Sequence, residues 1–240
     1  PTEAFITAAQ LKNIQLPLMG VFNIENILCA ISILLASGLS FKSFAAILPK
    51  LQSVEGRMQV VSRSSKESAN PSVIVDFAHT PDALEQVLHA VKQHLIEDVL
   101  VQSPTIKVTR PGQLWVVFGC GGNRDQGKRP LMAEIAERIA DKVMVTDDNP
   151  RFENPQQITQ QIFSGFKQPQ NILQQADRKL AIEAVLVQAS AEDIVVIAGK
   201  GHELYQDIQG VKTPFSDQQV VLDWLKATRE QGAEKNSDER

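Results

Sequence analysis

The chain has 240 residues, 43% of them hydrophobic, and a formal net charge of −4. That length fits one large domain, or one domain with part of another, and the apolar content suffices for a buried core. The mildly acidic balance gives no electrostatic case for nucleic acid or an anionic membrane, and no apolar run reaches the roughly 18 residues that span a bilayer.

The first helical pattern covers 23–36, with Gly38 as its stop, and Ser40 opens a second short helix reaching about Leu48. A break over 49–55 precedes a strand at 58–62, and the polar stretch 63–71 reads as a loop. From there strands and helices alternate. Strands are predicted at 72–77, 114–118, 142–146 and 193–198. Helices are predicted at 81–95, where Pro81 suits the first turn, and at 130–140, 155–166 and 178–189. The segment 205–215 suggests a hairpin turning near Gly210, and a last helix spans 217–226, capped by Asp217. Strands alternating with helices imply an α/β fold, a Rossmann-like and mostly parallel sheet with helices on both faces. The boundaries are expected to give 1–54 as the helical tail of another domain, 55–227 as the α/β domain, and 228–240 as a disordered tail. The start at Pro1, without a methionine, suggests a piece of a longer protein. The two cysteines, Cys29 and Cys120, sit in apolar or glycine-rich sequence. They suit a reducing, cytoplasmic compartment and no cysteine metal site.

Open sheets of this kind place ligands beyond the carboxyl ends of their strands. Four strand-end turns are therefore candidates. The glycine-rich turn 119–129, GCGGNRDQGKR, approaches a phosphate-binding loop, with Gly122 and Gly127–Lys128 at the right spacing. Arg129 stands where a Ser or Thr must hold magnesium, and Arg124 stands where a dinucleotide fingerprint needs its third glycine. Phosphate, a different anion and a plain turn all remain open readings. The second turn, DDNPR at 147–151, sets an Arg beside an Asn and a rigid Pro, which suits bidentate recognition of a carboxylate; alone, it equally reads as an Asn-Pro turn. The third, AGKGHE at 198–203, offers close backbone approach and Glu203 as a receiver for an ammonium group. His202 there reads as structural rather than as a general base. The fourth, DFAHTPD at 76–82, supports a helix cap with a ligand contact and no hydrolytic triad, since no nucleophile elbow accompanies it. Arg124 and Arg151 for carboxylates, with Glu203 for an amine, describe a pocket for a zwitterionic amino acid.

These motifs together resemble the Mur ligases. FNIEN at 22–26, EGRMQ at 55–59 and DFAHTPDAL at 76–84 are similar to motifs of the whole family. GCGGNRDQGKRPLM at 119–132, DNPR at 148–151 and AGKGHE at 198–203 resemble its MurE branch, in family order, from about Val21 to Leu225. The resemblance implies the Mur ligase carboxyl-terminal domain, preceded by a remnant of a central ATPase domain. Against that family the stretch 96–113 is longer than expected and reads as a surface insertion. It implies an ATP-dependent amide-bond-forming ligase of peptidoglycan synthesis. In that reaction UDP-N-acetylmuramoyl-L-alanyl-D-glutamate is activated as an acyl phosphate and meso-diaminopimelate attacks it. Residue by residue, Arg124, Asp148, Asn149, Pro150, Arg151, Gly199 and Glu203 would contact diaminopimelate. Asn23, Asn26, Arg57 and Asp76 would contact ATP, its magnesium or its phosphates, with His79 nearby. The chain holds no match to the family's nucleotide-binding P-loop, its magnesium-binding Glu and His, its carbamylated lysine or its UDP-sugar-binding domain. No catalytic residue and no metal ligand is therefore assigned, and the chain is expected to be inactive alone. A P-loop-like nucleotide-binding module on 122–128, a dinucleotide-binding oxidoreductase using 119–122 and Asp147, and an amino-acid-sensing domain are the alternatives.

Overall fold

The computed structural model describes residues 18, 20–63, 70–101 and 112–238. The chain divides into two compact units, Pro1–Val54 and Glu55–Arg240. In the first, helix α1 (Val21–Ala36) and the short α2 (Phe41–Ala45) precede a 3-10 turn at Leu48–Lys50. Ile31, Phe44 and Leu48 form a small buried cluster, joined by Ile27, Leu34 and Phe41.

The second unit is the α/β domain. Its elements in chain order are β1 (Gln59–Ser62), β2 (Ser72–Asp76), α3 (Pro81–Val101), β3 (Leu114–Phe118), α4 (Lys128–Ile139), β4 (Lys142–Val145), α5 (Pro155–Phe163), β5 (Leu173–Gln174), α6 (Arg178–Gln188), β6 (Ile194–Ala198), the hairpin β7 (Tyr205–Ile208) and β8 (Val211–Pro214), and α7 (Asp217–Asp238). Six strands form one sheet in the order β1-β2-β6-β3-β4-β5. Only the β1–β2 pair is antiparallel. Helices α3 and α4 cover one face, while α6 and α7 cover the other. Strands β3 and β6 are buried along their whole length, as expected for parallel strands with helices on both sides. On the α6 and α7 face, Val73, Val75, Trp115, Val117, Val195 and Ile197 pack against Ile182, Val185, Leu186 and Val221. The fold class is thus a mostly parallel sheet with helices on both faces.

Local chemistry explains where the helices begin. Asn154 caps α5 by accepting the N–H of Gln156 (2.8 Å), with Pro155 following, and Asp177 caps α6 by accepting from Leu180 (3.0 Å). Three differences from the sequence reading have physical causes. The cap of α7 is Ser216, whose Oγ accepts from Gln219; Asp217 instead points inward to pair with Arg178. Helix α7 runs on to Asp238 where a disordered tail is expected from 228, because Ala, Arg, Glu, Gln and Lys along that stretch are good helix formers. Helix α3 likewise continues to Val101, into the expected insertion. Residues 102–111 of that insertion, and 64–69 of the expected loop, lie outside the described residues.

Candidate functional site

Beyond the carboxyl ends of β2, β6, β3 and β4 lies a cavity of about 350 Å³. Its lining includes Arg124, Asp148, Asn149, Arg151, Gly199 and Glu203, and His79 stands on its rim with Phe77 and Lys128. The sheet order makes this convergence possible, since β6, β3 and β4 are neighbours. A larger cavity of about 550 Å³ opens beside α5, but Asp147 is the only charged group lining it. The smaller cavity is the chemically richer one.

The glycine-rich turn and the DNPR turn clasp each other. The N–H of Gly122 donates to the carbonyl of Asn149 (2.9 Å), and Asn123 Oδ1 accepts the N–H of Phe152 (3.0 Å). Arg151 takes a left-handed backbone, φ 51°. Its N–H donates to the Asp207 carbonyl (2.9 Å) and its carbonyl accepts from Gln209 (2.8 Å), so the β7–β8 hairpin holds it. Its guanidinium donates to the Gly122 carbonyl (2.9 Å), leaving its other donors for a ligand. Pro150 is not part of the lining. It acts from beneath, where a Cβ on Gly122 would come within 1.9 Å of its carbonyl oxygen.

The clasp also decides among the readings of the glycine-rich turn. The N–H groups of Gly122, Asn123 and Gly127 are taken by Asn149, Glu153 and Asp125, so they do not form the open cradle a P-loop offers to phosphate. Arg129 is fully buried. It pairs with Glu153 (2.9 Å) and donates to the Gly121 carbonyl (3.1 Å), fastening the loop down. The hydrogen bond that Glu153 accepts from Arg129, with the charge of that arginine, holds the Glu153 carboxyl below its ordinary range.

On the opposite wall, Gly199 has φ +116° and a Cβ there would meet Asp148 Oδ2 at 2.8 Å, so only glycine fits. Asn149 Nδ2 donates to Glu203 Oε2 (2.8 Å). Burial pushes the Glu203 carboxyl up, but the hydrogen bonds from Asn149 and Lys200 and the charges of Lys200 and Arg151 outweigh it and hold the group ionised. Lys200 is the residue that sequence reasoning missed. It is fully buried and reaches Asn149 Oδ1 (3.0 Å), Glu203 Oε2 (3.1 Å) and Asp148 Oδ1 (4.0 Å). Its position between two glycines straight after a buried strand was the available signal.

Of the residues expected at the nucleotide, His79 reaches this cavity, while Arg57, Asp76, Asn23 and Asn26 are not part of its lining. Arg57 lies over the Phe77 ring, 4.8 Å from its centre, with His79 and His202 against the same ring. The Nδ1–H of His79 donates to the Phe77 carbonyl (2.8 Å). Asp76 is buried, and its two oxygens accept the N–H groups of Met58 (2.7 Å) and Ala78 (2.6 Å). Burial raises its pKa against those two bonds. Asn23 and Asn26 are on α1 of the first unit. Among the described residues, no group of three or more His, Cys, Asp or Glu converges to hold a metal ion, and no helix is long and apolar enough to cross a membrane.

Residues 56–201 match the family model described as Mur ligase, glutamate ligase domain. The chain belongs to the Mur ligase family. Among Mur ligases, a Haemophilus influenzae protein named UDP-N-acetylmuramoyl-L-alanyl-D-glutamate--2,6-diaminopimelate ligase is 43% identical over 210 residues, which is 88% of this chain and 39% of that protein. One of the same name from Pseudomonas putida is 44% identical over 212 residues, with the same coverage. A solved structure of an enzyme so named superposes with a TM-score of 0.65 at 42% identity, covering 90% of this chain and 40% of that one. The Thermotoga maritima UDP-N-acetylmuramate-alanine ligase MurC shares the fold at 18% identity, with a TM-score of 0.57 over 91% of this chain. The chain thus spans about two-fifths of the length of the Mur ligases it matches.

Proposed function

We propose that this chain carries the amino-acid-selecting site of a ligase that adds meso-diaminopimelate to UDP-N-acetylmuramoyl-L-alanyl-D-glutamate, in the cytoplasm, at the expense of ATP. The observation that carries the reading is the convergence of Arg124, Arg151 and Glu203 on one cavity. Diaminopimelate is lysine with one further carboxylate. Its amino and carboxylate groups at one end match Asn149 and Glu203 with one arginine, and its other carboxylate matches the second. Lysine would leave that guanidinium desolvated and unpaired, and a site deprived of a required polar partner rejects the analogue by factors on the order of 10⁴.

ATP and magnesium enter as further proposals. Arg57, on its aromatic ledge, would reach the nucleotide; Asn23 and Asn26 are assigned to it on the family resemblance alone. Asp76, its oxygens occupied by backbone donors, would act by holding the segments that bear Arg57 and His79. By the family resemblance, the main magnesium ligands are proposed to lie outside the motifs this chain carries. The acyl phosphate is likewise made with groups this chain does not supply, so it is expected to bind and select the amino acid without ligating it. The amino-acid-sensing reading predicts the same binding and parts from this one only in lacking a ligase partner.

Calorimetry of this chain with meso-diaminopimelate and with lysine tests the reading. Diaminopimelate is expected to bind at least ~100-fold more tightly than lysine, and Arg151→Ala to remove most of that difference, consistent with about 2–3 kcal/mol for a charge-assisted pair. Equal binding of the two amino acids, or binding of neither, overturns it.

A further inference from the structure

Two of the groups assigned to the amino acid are themselves held by a third that does not line the cavity. Asn149 Oδ1 accepts from Lys200 Nζ (3.0 Å) and from the backbone N–H of Asp207 (2.9 Å). Two donors converging on one atom require that atom to be the oxygen. The amide is thereby fixed with Nδ2 toward Glu203 Oε2 (2.8 Å). Lys200 Nζ donates to that same carboxylate oxygen (3.1 Å). One carboxylate oxygen is thus engaged twice within the protein, and Oε1 is left for a ligand.

A fully buried lysine persists as an ammonium only when its charge is matched and its donors are used. Asp148 and Glu203 supply the charge, Asn149 a further acceptor, and the Tyr205 ring lies 5.8 Å away. In return the ammonium keeps two carboxylates and an amide in one arrangement at the edge of the cavity. We propose that Lys200 is a positioning residue of the amino-acid site, fixing the Asn149–Glu203 pair as the receiver of a substrate amino group without touching the substrate. The inference rests on the amino-acid-binding reading above.

Without Lys200, the Asn149 amide keeps only the Asp207 donor, and Glu203 loses its nearest positive charge. The groups facing Glu203 are then Asn149 and Arg151, with the charges of Asp148 and Arg178 behind them. Lys200→Met in the full chain is expected to weaken diaminopimelate binding by about 30-fold or more in calorimetry. If Lys200 acts through Glu203, Lys200→Met and Glu203→Gln are not independent, and the double variant binds about as weakly as the worse single one. A carbon-detected NMR titration of the Glu203 carboxyl supplies a readout that needs no ligand: its midpoint moves to higher pH in Lys200→Met. Should Lys200→Met fail to fold, Lys200→Gln keeps a donor and removes the charge; the same upward shift is expected with a smaller loss of affinity. Native affinity in both variants, multiplied single-variant factors in the double, or an unmoved Glu203 midpoint overturns the proposal. Those results leave the binding reading intact, whereas a native chain that binds no diaminopimelate overturns both.

Discussion

Arg178 and Asp217 are both fully buried and face each other in a fork, with Nε to Oδ1 at 2.7 Å and Nη2 to Oδ2 at 2.8 Å. Arg178 also donates to the carbonyl of Ala198 at the end of β6 (3.0 Å). Burial opposes the arginine charge, but Asp217 outweighs it and pushes the Arg178 pKa up. Removing one member of such a pair strands the other, so Asp217→Ala should cost about 3–5 kcal/mol in urea unfolding; a loss under about 1 kcal/mol would show the pair to be dispensable. Asp147 makes the opposite prediction. Burial, then the charges of Asp148 and Asp177, raise its pKa. Its folded pKa lies above the unfolded one, so its contribution is fully present below the ordinary aspartate range and is lost as pH rises through the folded value. Asp147→Asn should therefore flatten the fall in stability from acid toward neutral pH, and parallel profiles of Tm against pH would refute this. At this scale the sequence exposed Arg124, Asn149, Arg151 and Glu203, because strand-end position and complementary charge are local properties. Lys200, Arg129 and Arg178 were not legible as buried residues. A lysine or arginine looks the same whether solvated or interior, and only distant partners such as Glu153 and Asp217 decide.

Among the elements, the turn between β3 and α4 shows how far local geometry constrains the site. A Cβ on Gly122 would stand 1.9 Å from the Pro150 carbonyl oxygen, whereas on Gly127 its nearest neighbour is Asp125 Oδ1 at 3.3 Å. Gly122→Ala must part the two turns and is expected to lose about 1–3 kcal/mol in chemical denaturation, together with amino-acid binding. Gly127→Ala should change stability by under about 1 kcal/mol. Similar losses in both variants would mean that the clasp does not hold the turn. The long buried strands and the capped helices were readable because period and cap chemistry agree. Strand β5 was not, since it has two residues and exists by pairing with Met144 and Val145. No periodicity can register in so short a segment.

For the whole molecule, the core cluster on the α6 and α7 face of the second unit is made from residues between Val61 and Leu225. A chain beginning at Glu55 should therefore unfold in one cooperative transition; a broad, probe-dependent melt would show that the core needs the first unit. The strand order has a different consequence, one of assembly. Strand β6 is the last of the sheet in sequence, yet it sits between β2 and β3, pairing Ser72 and Leu114 each with Ile194. Until it arrives, β2 has no partner on that side and the two halves of the sheet have nothing to join them. A chain growing from its amino terminus therefore holds most of its strands before it can close any of this sheet's centre, and such long-range pairing is slow. The segment that completes the sheet continues directly into Gly199, Lys200 and Glu203. Closing the sheet and finishing the pocket are thus a single late event, so a nascent chain interrupted before β6 would lack both.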